Sequence, residues 1–232
     1  MRVPSLRDFQ VYIESWNDTY RMDYQQVITH LQRAYSRESA SGRDQAGKED
    51  WKVAERQQFL DLLKREGKKT LLEIGAGTGT DGLFFQNSGM RVVCTDLSPA
   101  MVELCREKGL EAYVMDFLRL DFPPASFEAM YALNCLLHVP TNDLPAVLEK
   151  LRSLLCPGGL FFLGVYGGNE EEGVREDDWH QPPRFFAHHT EAFMKRAISP
   201  FFEISSFKTI PLENRAWHFQ SMVLRRKKQE WT

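Results

Sequence analysis

The segment "GAGTG" (residues 75–79) places three glycines at alternate positions directly after an apolar run. Glycine allows a turn to adopt positive φ and to approach a ligand closely, and a following helix offers free backbone N–H groups. At the carboxyl end of a strand, such a turn is typical of a nucleotide-cofactor site. The dinucleotide pattern G-x-G-x-x-G needs a glycine at position 80, where this chain has Thr80. Glu73, just before the turn, suits a cofactor carrying an ammonium group better than one carrying a pyrophosphate.

Acidic residues also follow the next two apolar segments. Asp96 ends "VVCTD", about 20 residues after the glycine turn, where a carboxylate accepts hydrogen bonds from ribose hydroxyls of either cofactor. Asp116 and Phe117 follow "YVM", where the carboxylate can accept from an adenine amino group while the ring covers the base. The alternative interpretation is a plain strand–helix turn with helix-capping acids. Recurrence of the acids at successive strand ends favours cofactor binding.

The segments "EIGAGTG", "DLSP" and "MDF" together resemble the class I (Rossmann-like) S-adenosylmethionine-dependent methyltransferases. The segments "PPASFEAMYALNCLLHV" and "LCPGGLFFLGVY" extend this resemblance from about Leu60 to the end of the chain. The resemblance implies a doubly wound α/β fold, with a seven-stranded, mostly parallel sheet whose last strand is antiparallel. It also implies S-adenosyl-L-methionine as cofactor and S-adenosyl-L-homocysteine as product.

By position, the resemblance further implies which residues bind the cofactor. They are Glu73, Gly75, Ala76 and Gly77 around the methionine moiety, Asp96 on the ribose, Leu97, Asp116 and Phe117 on the adenine, and Asn134 beside the methionine amino group and the transferred methyl. Because the sulfonium of this cofactor is already a strong electrophile, the protein mainly has to align a nucleophile with the methyl group.

An oxygen or nitrogen nucleophile can also require a base, for which histidine is the usual choice. His138, in "NCLLHVP", is predicted to be catalytic; the alternative is a structural histidine that is hydrogen-bonded to backbone. Tyr166, at the end of a later apolar run, is predicted to face the substrate and take part in catalysis.

Residues 164–190 form a connection that is long for a strand-to-helix loop and rich in aromatic residues, histidines and acids. Such loops at the ligand end of a sheet form lids or substrate walls, and we predict substrate-facing roles for Trp179 and Arg184. The alternative is a solvated acidic loop whose aromatics plug the core, and Glu170–Glu172 are predicted to face solvent. The histidines match no zinc-binding spacing, so no metal site is predicted.

The periodicity of apolar residues predicts two helices before the glycine turn and alternating strands and helices after it. The predicted helices are Tyr24–Ser36, Trp51–Gly67 (with Val53, Phe59, Leu60 and Leu63 as its apolar stripe), Gly79–Gln86, Pro99–Lys108 and Asp143–Leu155. The predicted strands are Thr70–Ile74, Arg91–Thr95, Ala112–Met115, Ala129–Leu133 and Leu160–Tyr166, followed by an antiparallel hairpin at the sheet edge.

Two domains are predicted from this pattern. Residues 1–66 form a helical N-terminal cap with a mobile loop at Ser36–Asp50, and residues 67–232 form the Rossmann-like domain with the substrate loop 164–190. The aromatic residues Trp16, Tyr20 and Tyr24 can cap the cofactor or simply pack between helices.

The charge and the composition of the chain limit the kinds of binding partner that are expected. The net charge is −3 and the basic residues are dispersed apart from "RRKK" at Arg225–Lys228, which disfavours nucleic acid as a partner. Four unpaired cysteines in apolar segments, the lack of a leader and the lack of a long apolar run predict a soluble cytoplasmic protein with no membrane partner. The oligomeric state is not predicted.

The leading hypothesis is methyl transfer to an oxygen or nitrogen of a small-molecule acceptor. A methyltransferase for protein or RNA is the first alternative, although "ALNCLLH" differs from the D/N-P-P-Y/F/W motif of enzymes that methylate base amino groups. A nicotinamide-dependent oxidoreductase is disfavoured by Thr80 and by the lack of a Tyr–Lys pair. A non-catalytic cofactor-binding partner is disfavoured because the glycines and both acids are intact.

Overall fold

The structure is a computed structural model that describes residues 22–35, 48–212 and 217–227. Trp16, Tyr20 and most of the loop predicted at Ser36–Asp50 lie outside the described residues. Because much of residues 1–66 lies outside the described ranges, the two-domain division stays a prediction.

The strands of the main sheet follow the pattern predicted from the sequence. In spatial order they are β3 (Glu111–Val114), β2 (Arg91–Asp96), β1 (Thr70–Ile74), β4 (Phe127–Leu133), β5 (Leu155–Gly167), β9 (His218–Arg225) and β8 (Glu203–Pro211). Neighbours from β3 to β5 pair in parallel, whereas β9 is antiparallel to both β5 and β8. The predicted fold class, including the antiparallel last strand, is confirmed.

The order of the sheet creates the position for a ligand site. Chain order runs outward from β1 to β3 on one side and returns to β4 on the other side of β1. The connections that leave β1 and β4 therefore diverge, and a crevice opens at the carboxyl ends of these strands.

The helices have these bounds: α1 (Tyr24–Ala34), α2 (Asp50–Arg65), α3 (Thr80–Asn87), α4 (Pro99–Glu107), α5 (Leu144–Leu154) and α6 (Glu191–Ile198), with a 3₁₀ turn at Leu136–His138. The Asp23 and Ser98 side chains cap α1 and α4 by accepting from Gln26 and Met101 backbone N–H groups. Within the described part of the chain, no helix has the length and apolar character needed to cross a membrane.

Apolar layers cover the two faces of the sheet. Adjacent strand residues point to opposite faces, so Leu71 and Leu72 belong to different layers, as do Phe161 and Phe162. Helices α5 and α6 pack on one face, and helices α2, α3 and α4 pack on the other. Of the stripe predicted on α2, Phe59, Leu60 and Leu63 are buried, but Val53 is 40% exposed, which corrects its assignment to the core.

The segment predicted as one long loop at 164–190 contains regular structure. Strand β5 continues to Gly167, and β6 (Glu171–Val174) pairs antiparallel with β7 (Phe185–His188). We call residues 171–188 the β6–β7 hairpin. Its Phe185 and Ala187 are buried against α1, an alternation typical of a half-buried strand.

The acids before and within this hairpin were predicted to face solvent, and two of them do not. Glu170 accepts from the backbone N–H of Thr190 (3.0 Å), and Glu172 accepts from the backbone N–H of Thr141 (3.1 Å). Glu171 is exposed as predicted. The difference arises because both bound acids fix the hairpin to elements that are distant in sequence.

Candidate functional site

A cavity of about 380 Å³ lies at the carboxyl ends of β1 to β4, beneath helix α1. The cofactor-binding residues predicted from the sequence all line it: Glu73, Gly75, Ala76, Gly77, Asp96, Leu97, Asp116, Phe117 and Asn134. His138 lines the same cavity. Its volume is in the range of sites that enclose a small molecule or cofactor.

The glycine turn holds its backbone in a conformation that other residues rarely adopt. Gly75 and Gly77 have φ of +64° and +55°. A Cβ atom on Gly75 would lie 2.3 Å from the Cβ of Cys135, whose thiol donates to the Ile74 carbonyl at 3.1 Å. The turn after β1 and the residues after β4 are therefore in direct contact, which requires glycine at position 75.

Replacing Gly75 with alanine is expected to destabilise the fold more than the same replacement at a glycine that has a similar φ but no close neighbour. Gly75→Ala combines left-handed strain with the clash against Cys135, so we expect the free energy of unfolding to fall by about 2–5 kcal/mol. Gly67 is the matched control, since its φ is +66° and no described atom lies within 4 Å of the place that an added methyl group would occupy. Gly67→Ala should cost only about 1–2 kcal/mol. Urea unfolding measures both, and equal losses would contradict the contact.

Glu73 is a buried carboxyl group at the end of β1. It is 3% exposed, and the Cys94 thiol donates to its Oε2 at 3.3 Å. Burial, followed by the charge of Asp81, raises the pKa of Glu73 well above its usual value. Among the described residues Glu73 forms no ion pair, so a cationic ligand group would compensate its ionised form.

Asp81, by contrast, is already paired with cations. Its carboxylate binds Arg56 Nη1 at 2.7 Å and also pairs with Lys48. Asp81 and Lys48 line the cavity beside Glu73. Of these two adjacent acids, Asp81 is paired with two cationic side chains and, in the part of the chain that the structure describes, Glu73 is paired with none. Glu73 is therefore the acid that can pair with a cationic group of a ligand.

Asp96 is held in a fixed orientation at the end of β2. Its Oδ2 accepts from the Gly77 backbone N–H at 2.8 Å, and its Oδ1 accepts from the Ser98 backbone N–H at 2.9 Å. A carboxylate has about four lone-pair sites, and these two bonds orient it while they occupy two of the four.

Asp116, after β3, links the cavity to helix α1. Its Oδ1 accepts from the backbone N–H groups of Leu118 (2.9 Å) and Arg119 (3.1 Å). The Tyr24 hydroxyl donates to the same oxygen at 3.4 Å, and burial, followed by the charge of Asp116, raises the pKa of Tyr24. Tyr24 therefore remains a protonated donor that closes the cavity over Asp116.

Asn134 carries the clearest sign of a missing polar partner. It adopts φ +55°, and its backbone N–H donates to the Gly164 carbonyl at 2.8 Å. Its Oδ1 is buried and has no hydrogen-bond partner among the residues that the structure describes. Buried acceptors are nearly always satisfied, so this atom fits a ligand N–H donor in the cavity.

His138 is hydrogen-bonded through both ring nitrogens. Its Nδ1 lies 2.6 Å from the Phe185 carbonyl, and its Nε2 lies 2.9 Å from the Tyr35 hydroxyl. A carbonyl can only accept, so Nδ1 carries the proton and, in the neutral ring, Nε2 accepts from Tyr35. The backbone contact of the structural alternative is present, and Tyr35 occupies the other ring nitrogen, on the side of the cavity.

The other predicted substrate-facing residues lie beside the cavity. Tyr166 is not among its lining residues; its ring packs edge-on against Phe219 at 5.5 Å, with Lys52 Nζ 5.2 Å from its centroid. Trp179 is 68% exposed, and Arg184 is held by Asp178. Catalysis by Tyr166 stays a prediction that this geometry does not favour, because Tyr166 does not line the cavity.

Several cavity residues were not assigned to the site from the sequence. They include Tyr35, Lys48, Glu49, Lys52, Asp81, Met101, Met115 and Cys135. Asp81 could have been found, because it follows the glycine turn directly on α3. No sequence motif marked Tyr35 or Lys48 as part of the site, because both residues precede the strands whose ends form the cavity.

The cysteines around the glycine turn are reduced. All four cysteines are free thiols; Cys94, Cys105 and Cys135 are buried around the glycine turn, and Cys156 is half-buried. Over residues 22–35, 48–212 and 217–227, no cluster of three or more histidine, cysteine or acidic side chains could hold a metal ion.

An open α/β sheet with a glycine turn after β1 and acids after β2 and β3 defines a nucleotide-cofactor protein of the Rossmann-like class. Residues 71–159 match the family model described as "Methyltransferase domain". The resemblance to the class I S-adenosylmethionine-dependent methyltransferase family, predicted from the motifs, is confirmed. S-adenosylmethionine, the cofactor predicted from the sequence, is the cofactor of that family.

Solved and curated relatives agree with this assignment. The Burkholderia thailandensis 1,6-didemethyltoxoflavin-N1-methyltransferase, solved with 1,6-didemethyltoxoflavin and S-adenosylhomocysteine, has a TM-score of 0.71 at 20% identity, covering 91% of this chain and 94% of that one. A Serratia marcescens malonyl-[acyl-carrier protein] O-methyltransferase is 29% identical over 72% of this chain and 62% of its own length. A Schizosaccharomyces pombe tRNA N(3)-methylcytidine methyltransferase is 29% identical over 50% of this chain and 43% of its own length. The chain thus spans about half the length of these two curated relatives.

Proposed function

We propose that this protein transfers the methyl group of S-adenosylmethionine to an oxygen or nitrogen atom of a small-molecule acceptor. The observation that carries the proposal is one covered cavity that is lined by every residue predicted to bind the cofactor. The Burkholderia relative, whose alignment covers 91% of this chain, is named as a 1,6-didemethyltoxoflavin-N1-methyltransferase.

The side chains of the cavity fit this cofactor. Asn134 Oδ1 needs a donor and Glu73 a cation, and the methionine ammonium group is both. Asp96 would bind the ribose hydroxyls, and Asp116 would accept from the adenine amino group. When bound, the cofactor supplies an electrophilic methyl group; the chain positions it and shields it from water.

The covering of the cavity favours a small acceptor. Val27 and Leu31 of α1 pack against Phe185 and Ala187 of the β6–β7 hairpin, so two elements close over the carboxyl ends of the strands. A nucleotide within a folded RNA would have to displace this apolar contact. The net charge of −3 also gives no general attraction for phosphate.

Two alternative functions were considered from the sequence, and only one of them, methylation of RNA, has support among the relatives. The Schizosaccharomyces pombe relative is named for tRNA, so RNA is the acceptor class against which the proposal is tested. A nicotinamide-dependent oxidoreductase is not supported, because residues 71–159 match a methyltransferase domain and position 80 holds Thr80 where the dinucleotide pattern needs glycine. Residues 1–66 as a cap, residues 67–232 as the catalytic domain, and a cytoplasmic location remain proposals.

The test begins with calorimetric titration of S-adenosylmethionine, S-adenosylhomocysteine and NAD. We expect micromolar binding of the first two, about −8 kcal/mol, and no binding of NAD. The second step measures S-adenosylhomocysteine formation by mass spectrometry with a panel of alcohols, phenols, amines, ring nitrogen compounds and carboxylic acids, and separately with bulk tRNA. Turnover with a small molecule supports the proposal, whereas binding of NAD alone, or turnover with tRNA alone, overturns it.

A further inference from the structure

Three segments that are far apart in sequence meet at one hydroxyl group. The Tyr35 hydroxyl, just after α1, lies 2.9 Å from His138 Nε2 and 3.1 Å from Arg184 Nη1 of the β6–β7 hairpin. Tyr35 and His138 both line the cavity. This phenol oxygen is therefore placed where cavity, imidazole and guanidinium come together.

The proton positions at this hydroxyl follow from its partners. The Phe185 carbonyl can only accept, which fixes the neutral His138 ring with its proton on Nδ1. His138 Nε2 then accepts the Tyr35 proton, while the Tyr35 oxygen accepts from Arg184. Arg184 always carries its charge, so its N–H forms a charge-assisted hydrogen bond to the phenol oxygen.

Arg184 is itself held rigidly. Its Nε and Nη2 donate to Asp178 at 2.8 and 2.9 Å, and its guanidinium lies 5.0 Å from the centre of the Phe186 ring. The buried His180 ring packs edge-on against Tyr35 at 5.4 Å. Among the described residues, the charged and titratable groups that face the Tyr35–His138 pair include Arg184, Asp178 and His180 of the hairpin.

We propose that Tyr35 takes the proton from the methyl acceptor while it passes its own proton to His138, with Arg184 as a positioning residue for the phenol oxygen. This inference rests on the proposed function. The acceptor lone pair forms the new bond to the methyl carbon, and the S–CH₃ bonding pair stays on sulfur as S-adenosylhomocysteine forms. The acceptor proton moves to the Tyr35 oxygen, the Tyr35 proton moves to His138 Nε2, and the imidazolium later releases a proton to solvent.

The relay narrows the class of acceptor. A base is needed only where the reacting atom carries a proton at the pH of the reaction, as in an alcohol, a weakly acidic phenol or an N–H group. A carboxylic acid is already ionised near neutral pH and needs no relay. The structure therefore points to a hydroxyl or N–H acceptor.

The test uses Tyr35→Phe, which removes only the hydroxyl. Rates are measured on the panel acceptors and on benzyl alcohol, phenol and 4-nitrophenol, which differ in acidity. We expect kcat/KM to fall about 100- to 1,000-fold for weakly acidic acceptors, and less than about tenfold for 4-nitrophenol at a pH where it is ionised. Arg184→Gln should cost about tenfold with the same dependence on acidity. Tyr113→Phe, which removes an exposed hydroxyl bonded to Glu111, is the matched control.

The outcomes separate the relay from the proposed function. Calorimetry with S-adenosylhomocysteine should show unchanged affinity for Tyr35→Phe, which verifies that the variant is folded. An equal loss for all acceptors, or no loss, overturns the relay alone. Failure of the wild-type protein to methylate any acceptor overturns the proposed function and the relay with it. Nitrogen NMR of His138 in the S-adenosylhomocysteine complex needs no acceptor, and a neutral ring protonated on Nε2 would also overturn the relay.

Discussion

Asp96→Ala is expected to weaken the binding of S-adenosylmethionine about 100-fold, equivalent to about 2.7 kcal/mol. The reason is that Asp96 is oriented by the backbone N–H groups of Gly77 and Ser98, at 2.8 and 2.9 Å, and in the proposed complex would present a charged acceptor to the ribose. Charge-assisted bonds of this kind contribute about 1.5–3 kcal/mol each. Calorimetric titration of the purified variant measures the loss.

Two further variants separate the ligand contact from the support of the turn. Asp96→Asn keeps the shape and one acceptor oxygen, so we expect a loss of only about tenfold. Asp121→Ala removes an exposed acid on the loop after β3 and should leave affinity unchanged. Thermal unfolding is recorded for each, because Asp96→Ala also leaves the Gly77 and Ser98 N–H groups without their acceptor. Affinity of Asp96→Ala within about threefold of wild type would contradict the assignment of Asp96 to the ribose.

Glu73→Gln is expected to change stability and binding in opposite directions. The glutamine keeps the shape of the side chain but removes the cost of a buried charge, so at about pH 8 the ligand-free variant should be about 1–3 kcal/mol more stable. The same change removes the partner of the ligand ammonium group, and we expect about 30-fold weaker binding of S-adenosylmethionine. A protein that loses stability and keeps its affinity would contradict this role for Glu73.

The raised pKa of Glu73 also predicts how the free energy of unfolding changes with pH. Because the folded pKa of Glu73 is raised, the folded state holds a proton that the unfolded state has already released. The free energy of unfolding of the wild type should therefore fall as pH rises from the ordinary glutamate value through the raised pKa. Glu73→Gln should lack this fall, whereas the exposed control Glu107→Gln should keep it. Urea unfolding of the ligand-free proteins across this pH range tests the difference.

The sequence by itself determined the fold class and the cofactor side of the cavity. These features depend on residues that are close together in sequence. A glycine turn marks the end of the preceding strand, and ligands bind at the carboxyl ends of parallel strands. Glu73 and Asp96 lie at the carboxyl ends of β1 and β2, and Asp116 and Asn134 follow β3 and β4. All four line the cavity. The antiparallel final strand was predictable because no helix separates it from its neighbour.

Only the tertiary structure decided the contacts of the proposed acceptor side. Tyr35 reaches His138 from 103 residues away in sequence, and His138 reaches the Phe185 carbonyl across a separation of 47 residues. Periodicity specifies which face of an element is buried, but not which distant side chain it meets there. For the same reason Tyr166, well placed by its strand, packs beside the cavity. Local backbone rules thus fix the cofactor residues, whereas the contacts among α1, the 3₁₀ turn and the β6–β7 hairpin exist only once the chain has folded.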